Sequence, residues 1–209
     1  MSAKSIIIFD FDGTLADSFD DVIAVFNELA QEYKLSEIKP EDIPKLKNIS
    51  SRGILKKFKF PAWRLPFLLK KGRRLFNARI SSINLFPGIK ETLAELKSRG
   101  CTLGILSSNS EENIKNFLDR NQANLFDFVY TASNLFGKDK ALKKIIRKHQ
   151  YNAADVIYVG DETRDIEAAK KCGVKVIAVS WGFNSREILE KFNPNYLIDK
   201  PEELLKILN

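Results

Sequence analysis

Two carboxylates one residue apart, Asp10 and Asp12, stand directly behind the apolar run Ser5-Ile6-Ile7-Ile8-Phe9 and lead into Gly13-Thr14-Leu15. In an extended segment residues i and i+2 share a face, so this spacing aims both side chains at one spot. The spot lies at the carboxyl end of a strand, where open α/β sheets place their ligands. Adjacent carboxylates repel each other, and a fold tolerates them when a cation sits between them or they share a proton. Three further segments carry polar groups of matching chemistry. Gly104-Ile105-Leu106 runs into Ser107-Ser108-Asn109-Ser110, where hydroxyls and free N–H groups at a helix start make a phosphate cradle. Phe136-Gly137-Lys138 brings a point-like ammonium to another helix start. Val159-Gly160-Asp161-Glu162-Thr163-Arg164-Asp165 sets Asp161 and Asp165 one helical turn apart behind an apolar strand.

Strands must deliver these groups, and the pattern supplies them. Ser18, followed by Asp20 and Asp21, is expected to cap a helix whose apolar face is Phe19, Val22, Ile23, Phe26, Leu29, Ala30 and Tyr33. Pro40, Pro44, Pro61 and Pro66 then punctuate short amphipathic pieces with no strand-like alternation, read as a small helical insert. From Phe86-Pro87-Gly88 the texture changes. A helix through Leu93 and Leu96 is expected to stop at Gly100. Strands are expected at 101–106, 126–130, 155–159, 175–179 and 196–198, with helices at 141–148 and 165–171 between them and a last helix opened by Pro201. Strands alternating with helices predict a parallel sheet with helices on both faces.

The stretch Asp10-Phe11-Asp12-Gly13-Thr14-Leu15 resembles the first motif of the haloacid dehalogenase-like phosphatases, and the three other segments resemble the family's remaining motifs in order. The resemblance implies an α/β, Rossmann-like parallel-sheet core with a small all-α cap inserted after the first strand. The expected division is residues 1–18 and 85–209 for the core and 19–84 for the cap. It further implies that Asp10 is the nucleophile and Asp12 the acid and base. Ser107 would bind phosphate, with Ser108 as the alternative register. Lys138 would be the motif cation, with Lys140 as runner-up because the segment lacks the Lys-Pro that many relatives carry. The expected cofactor is Mg2+, held by Asp10, the main-chain carbonyl of Asp12, and Asp161. Asp165 would act through water or hold Lys138. An all-oxygen set of this kind suits a hard cation.

Composition narrows the alternatives. Hydrophobic residues make up 44% of the 209, enough to bury a core. Two distant cysteines and one histidine exclude a His/Cys zinc site and a disulfide framework. No apolar stretch is long enough for a leader or a membrane span, and a cytoplasmic protein is expected. The net charge of +7 is local: thirteen Lys or Arg and no acid lie between Ile43 and Lys90, which leaves −6 for the remainder. A local basic surface implies an anionic partner drawn in by the cap, and the resemblance to helix-capped phosphatases implies that it is a small phosphorylated anion, with phosphoglycolate as the specific choice. Alternatives are a phosphomutase on the same scaffold and a nucleic-acid-binding module with 5' or 3' end phosphatase activity. Ser110 is assigned to capping and His149 to a structural place at a helix end. Trp63 is read as a cover over the site, and Trp181 as either packing or a ligand platform.

Overall fold

In the computed structural model, which describes residues 5–57, 65–132 and 137–208, every strand is parallel to its neighbours. Chain order begins with β1 (Ile6–Phe9), α1 (Phe19–Tyr33), a 3-10 turn at Pro40–Asp42, α2 (Ile43–Lys47), α3 (Ser51–Lys57) and α4 (Leu65–Arg79). It continues with α5 (Ile89–Ser98), β2 (Thr102–Ser107), α6 (Glu111–Arg120), β3 (Phe128–Thr131), α7 (Lys138–Lys148) and β4 (Val156–Gly160). The chain ends with α8 (Thr163–Lys171), β5 (Lys175–Val179), α9 (Arg186–Lys191), β6 (Tyr196–Ile198) and α10 (Leu204–Ile207). The sheet order is β3-β2-β1-β4-β5-β6, so the strand carrying the two carboxylates is central.

Period-two alternation divides the core between the two faces of the sheet. Ile7 and Phe9 of β1 pack with Leu103, Ile105 and Val159 under α5, α6 and α10. Ile6 and Ile8 pack with Leu106, Tyr158 and Val176 under α7, α8 and α9. Both faces are apolar, which is why the central strand reads as an unbroken hydrophobic run.

Strand limits shift by one residue at β2, β4 and the end of β3, and three element starts differ from expectation by two residues or more. β3 starts at Phe128 rather than at 126, because Asp127 ties that end to the sheet with its side chain, its Oδ2 accepting from Leu103 N at 2.8 Å. α7 starts at Lys138 rather than at 141, with Asp139 in its first turn. α8 starts at Thr163 rather than at 165, because Asp165 reaches back and accepts a hydrogen bond from Glu162 N at 3.0 Å.

Among the described residues the segment between β1 and α5 carries helices, as expected. The chain enters and leaves it side by side: Asp17 N donates to Asn84 O at 2.9 Å and Phe86 N to Leu15 O at 3.0 Å. Its positive charge is partly met from its own first helix, since Lys71 pairs with Glu32 and Arg79 with Glu28. Those cations turn toward α1, so the basic run is less free than the sequence implies. Trp63 and Arg64 lie outside the described residues, as does Phe136 of the third motif.

Candidate active site

β1 hands its ladder directly to Asp10, whose N–H donates to Val159 O at 2.8 Å. The next residues curl into a turn in which Leu15 N and Ala16 N both donate to Phe11 O. Phe11 drops into the core edge-on to Phe117, leaving Asp10 and Asp12 on the other side. Gly13 has φ +78°, and a Cβ there would sit 2.2 Å from Asp161 Oδ2. Only glycine allows both the backbone conformation and that approach. Thr14 completes the turn, its hydroxyl donating to Asp161 Oδ1 at 2.7 Å.

Asp10 is 2% exposed and ion-paired with Lys138, which also reaches Asp165 at 2.6 Å. Burial alone would lower the Lys138 pKa, but the charges of Asp10 and Asp165 outweigh it and hold the ammonium above its ordinary value. Lys140 is exposed and joins none of this, so Lys138 is the lysine that the fold brings to the carboxylates. Asp165 is pushed up to about 6, first by burial, with Lys138 opposing and Asp10 adding to the rise. Burial drives Asp161 well above the carboxylate range, and Glu162, Asp10 and Asp165 add to it.

Among the described residues Asp10, Asp161 and Asp165 form a buried cluster whose oxygens lie within 4.8 Å of one another. Lys138 pairs with Asp10 and Asp165 but not with Asp161, a charge imbalance that a divalent cation would correct, and the donors are all oxygen. These residues fit magnesium. The Asp12 carboxylate is not part of the cluster, so of the four aspartates named from the sequence three converge by their side chains. Replacing Lys138 with Met should lower unfolding stability by about 3 kcal/mol, because Asp10 and Asp165 lose their buried counter-charge. Denaturant unfolding checks this, and a loss below about 1 kcal/mol contradicts it.

Asp12 is half-buried and accepts from Ser18 Oγ at 3.3 Å and Asn109 Nδ2 at 3.4 Å. Its pKa is pushed up to about 7, chiefly by burial and next by the charge of Asp10, with Ser18, Asn109 and Lys138 opposing. Ser18 therefore does something other than expected. It stands at the α1 N-cap position, but its hydroxyl makes no capping bond. Ser110 does cap, accepting from Asn113 N at 3.2 Å. Ser107 is the last residue of β2, fully buried, with its Oγ accepting from Asn109 N at 2.9 Å, and Ser108 follows half-buried in the turn.

A family model described as Haloacid dehalogenase-like hydrolase matches residues 7–179. The chain is 40% identical over 201 residues to a phosphoglycolate phosphatase from Synechococcus elongatus, covering 96% of this chain and 95% of that one. The chain belongs to the haloacid dehalogenase-like hydrolase family. Within the family it is also 26% identical over 213 residues to the pyrophosphatase PpaX of Bacillus mycoides, covering 97% and 96% of the two chains. A solved structure of a predicted phosphatase from Clostridium acetobutylicum shares the fold at TM-score 0.85 and 22% identity, covering 99% of each chain.

In this haloacid dehalogenase-like hydrolase some residues carried no sequence signal of their own, and others were read from the sequence only in part. Asn109 was hidden in a serine-rich run read for its hydroxyls. Trp181 donates from Nε1 to Thr14 O at 3.1 Å and stands edge-on to Phe86, so it packs and steadies the Asp10–Thr14 turn. Tyr158 is buried beneath Lys138, its hydroxyl donating to Leu106 O. His149 stacks between Phe128 and Tyr151 on the far edge of the sheet, a packing role as expected. Lys47, counted only as one of thirteen cations, donates to Gly182 O at 2.9 Å.

Proposed function

We propose that the chain is a magnesium-dependent phosphomonoesterase that cleaves a small anionic phosphate ester through an aspartyl-phosphate, with phosphoglycolate the leading candidate substrate. The observation that carries the chemistry is the unequal pair from one strand end: Asp10 bonded to an ammonium, Asp12 pushed to about 7. An Asp10 carboxylate oxygen attacks phosphorus while the bond from phosphorus to the ester oxygen breaks. Asp12 gives its proton to that oxygen, and the alcohol leaves. The Asp12 carboxylate then takes a proton from water as the water oxygen attacks phosphorus. Inorganic phosphate departs and Asp10 is restored. A carboxyl titrating near neutrality suits both halves of this exchange.

Lys138 balances charge beside Asp10, and the hydroxyl of Ser107 receives a phosphate oxygen. Asp10, Asp161 and the main-chain carbonyl of Asp12 would hold the cation, which supplies neutralisation of the phosphate charge. Asp165 acts by fixing Lys138. The helical insert, residues 19–84, is a cap over the core of 1–18 and 85–209, and the paired crossings at 15–17 and 84–86 support that division. Among the described residues no helix is long and apolar enough to cross a membrane.

The test is phosphate release with magnesium from phosphoglycolate, pyrophosphate, sugar phosphates and oligonucleotide ends. Phosphoglycolate should lead in kcat/KM by about tenfold, a margin that about 1.4 kcal/mol of differential binding provides. Excess chelator should abolish turnover, and full activity in chelator overturns the metal assignment. Preference for pyrophosphate moves the substrate toward that of the Bacillus relative. Isomerisation without phosphate release makes the chain a mutase, and salt-sensitive binding of oligonucleotides supports the nucleic-acid alternative.

A further inference from the structure

The loop after β5 touches the acidic cluster on one side and the helical insert on the other, and it has no slack between them. A Cβ at Gly182 would lie 2.3 Å from both Asp161 Oδ2 and Gly13 O, so the loop backbone is pressed against the Asp161 carboxylate. The next residue, Phe183, donates its N–H to Asp161 Oδ2 at 2.7 Å, and Asn184 N donates to Asp161 O at 3.4 Å. Asn184 then faces the insert. Its side chain, on a residue 2% exposed, donates both hydrogens outward, to Lys47 O at 3.2 Å and Ile49 O at 3.1 Å. Its Oδ1 accepts from Thr163 N, the first residue of α8, at 2.9 Å. Two carbonyls on one side and an N–H on the other leave a single way to orient the amide. Ser185 N adds a third bond to the same stretch, donating to Lys47 O at 2.8 Å.

We propose that Asn184 is a positioning residue that couples docking of insert residues 47–52 onto the core to the alignment of Asp161 as a metal ligand. The proposal rests on the reading of Asp161 as a ligand given above. The physical argument is one of stranded donors. If the insert lifts, the two amide hydrogens of Asn184 lose both carbonyls in a buried setting, which is costly unless the loop shifts to rehydrate them. Gly182 and Phe183 are packed too closely on Asp161 for the loop to shift without carrying the Phe183 N–H away from Asp161 Oδ2. Docked insert and aligned carboxylate therefore stand or fall together. By linkage, whatever favours one favours the other. Magnesium bound at Asp161 should then hold down the insert, even though no acidic residue exists between Ile43 and Lys90 to touch the ion directly.

The experiment is hydrogen exchange of main-chain amides 47–52 in the full chain, with and without magnesium as the sole added ligand. Calorimetry on the same samples establishes whether the ion binds. In wild type, magnesium should slow exchange in this segment by about fivefold or more, the usual lower range of coupling between two sites. In Asn184→Ala the ion should still bind, through Asp10 and Asp161, but the protection of 47–52 should vanish. Should Asn184→Ala not fold, Asn184→Asp serves in its place. It has the same volume and keeps the acceptor for Thr163 N, but has no donor for the two carbonyls. Binding without protection in wild type, or protection that persists in the variant, overturns the coupling. No magnesium binding at all overturns both the coupling and the metal centre on which it rests, whereas magnesium-dependent protection in an enzyme inert toward phosphate esters upholds the coupling and overturns only the phosphatase reading.

Discussion

Asp10→Asn is expected to reduce phosphate release by roughly four orders of magnitude or more, because the amide is a poor nucleophile and the best-placed reacting oxygen is lost. The fold should survive. Asp10 shares its surroundings with Asp161 and Asp165 around one lysine, so removing a charge relieves repulsion, and Lys138 keeps Asp165 at 2.6 Å. Volume barely changes at a site 2% exposed. Thermal unfolding should accordingly occur at or above the wild-type temperature, and the phosphorylated protein that acid quenching traps from wild type should be missing. Retention of even a tenth of wild-type turnover would remove Asp10 from the nucleophile role.

Asp12→Asn should slow turnover by roughly two to four orders of magnitude, the usual worth of a positioned acid and base, with KM nearly unchanged. An asparagine can keep its oxygen toward Asn109 Nδ2 and turn its NH2 to Ser18, whose hydroxyl rotates to accept, so the turn needs no rearrangement. The deficit should shrink for esters with acidic leaving groups, which depart without a proton. It should persist in the second half of the cycle, where water must be activated. A variant that loses magnesium affinity but keeps its rate at saturating ion would make Asp12 a ligand and leave the proton transfers without an owner.

Much of this site was legible because it is local. Asp10 and Asp12 fall on one side of the chain through the two-residue period of an extended segment, and Gly13 marks the turn that follows. Asp161 and Asp165 were placed by a strand-to-helix junction. Lys138 was found as a lysine at a helix start, although its competition with Lys140 was undecidable from spacing: both lie in the first turn, and only burial separates them. Ser18 misled for a related reason. A serine before a helix with two aspartates has the composition of a cap, yet here its hydroxyl turns to Asp12, a choice made between partners six residues apart across the Gly13 turn. The basic insert misled in the opposite direction, since a count of cations along the chain ignores Glu28 and Glu32 on the neighbouring helix.

The sequence by itself determined the strand–helix alternation, the apolar run that becomes the central strand, and the residue types at each strand end. These follow from periodicity and turn chemistry acting over a few residues. The tertiary structure decided which groups meet and what their charges become. Asp10 and Lys138 are 128 residues apart, and Asn184 meets Lys47 across 137. Such pairs form because a parallel sheet of order β3-β2-β1-β4-β5-β6 brings distant strand ends to one edge, and no short-range pattern encodes that neighbourhood. The raised pKa of Asp12 is decided in the same way, since burial and the charge of Asp10 act through space after the chain has closed around them.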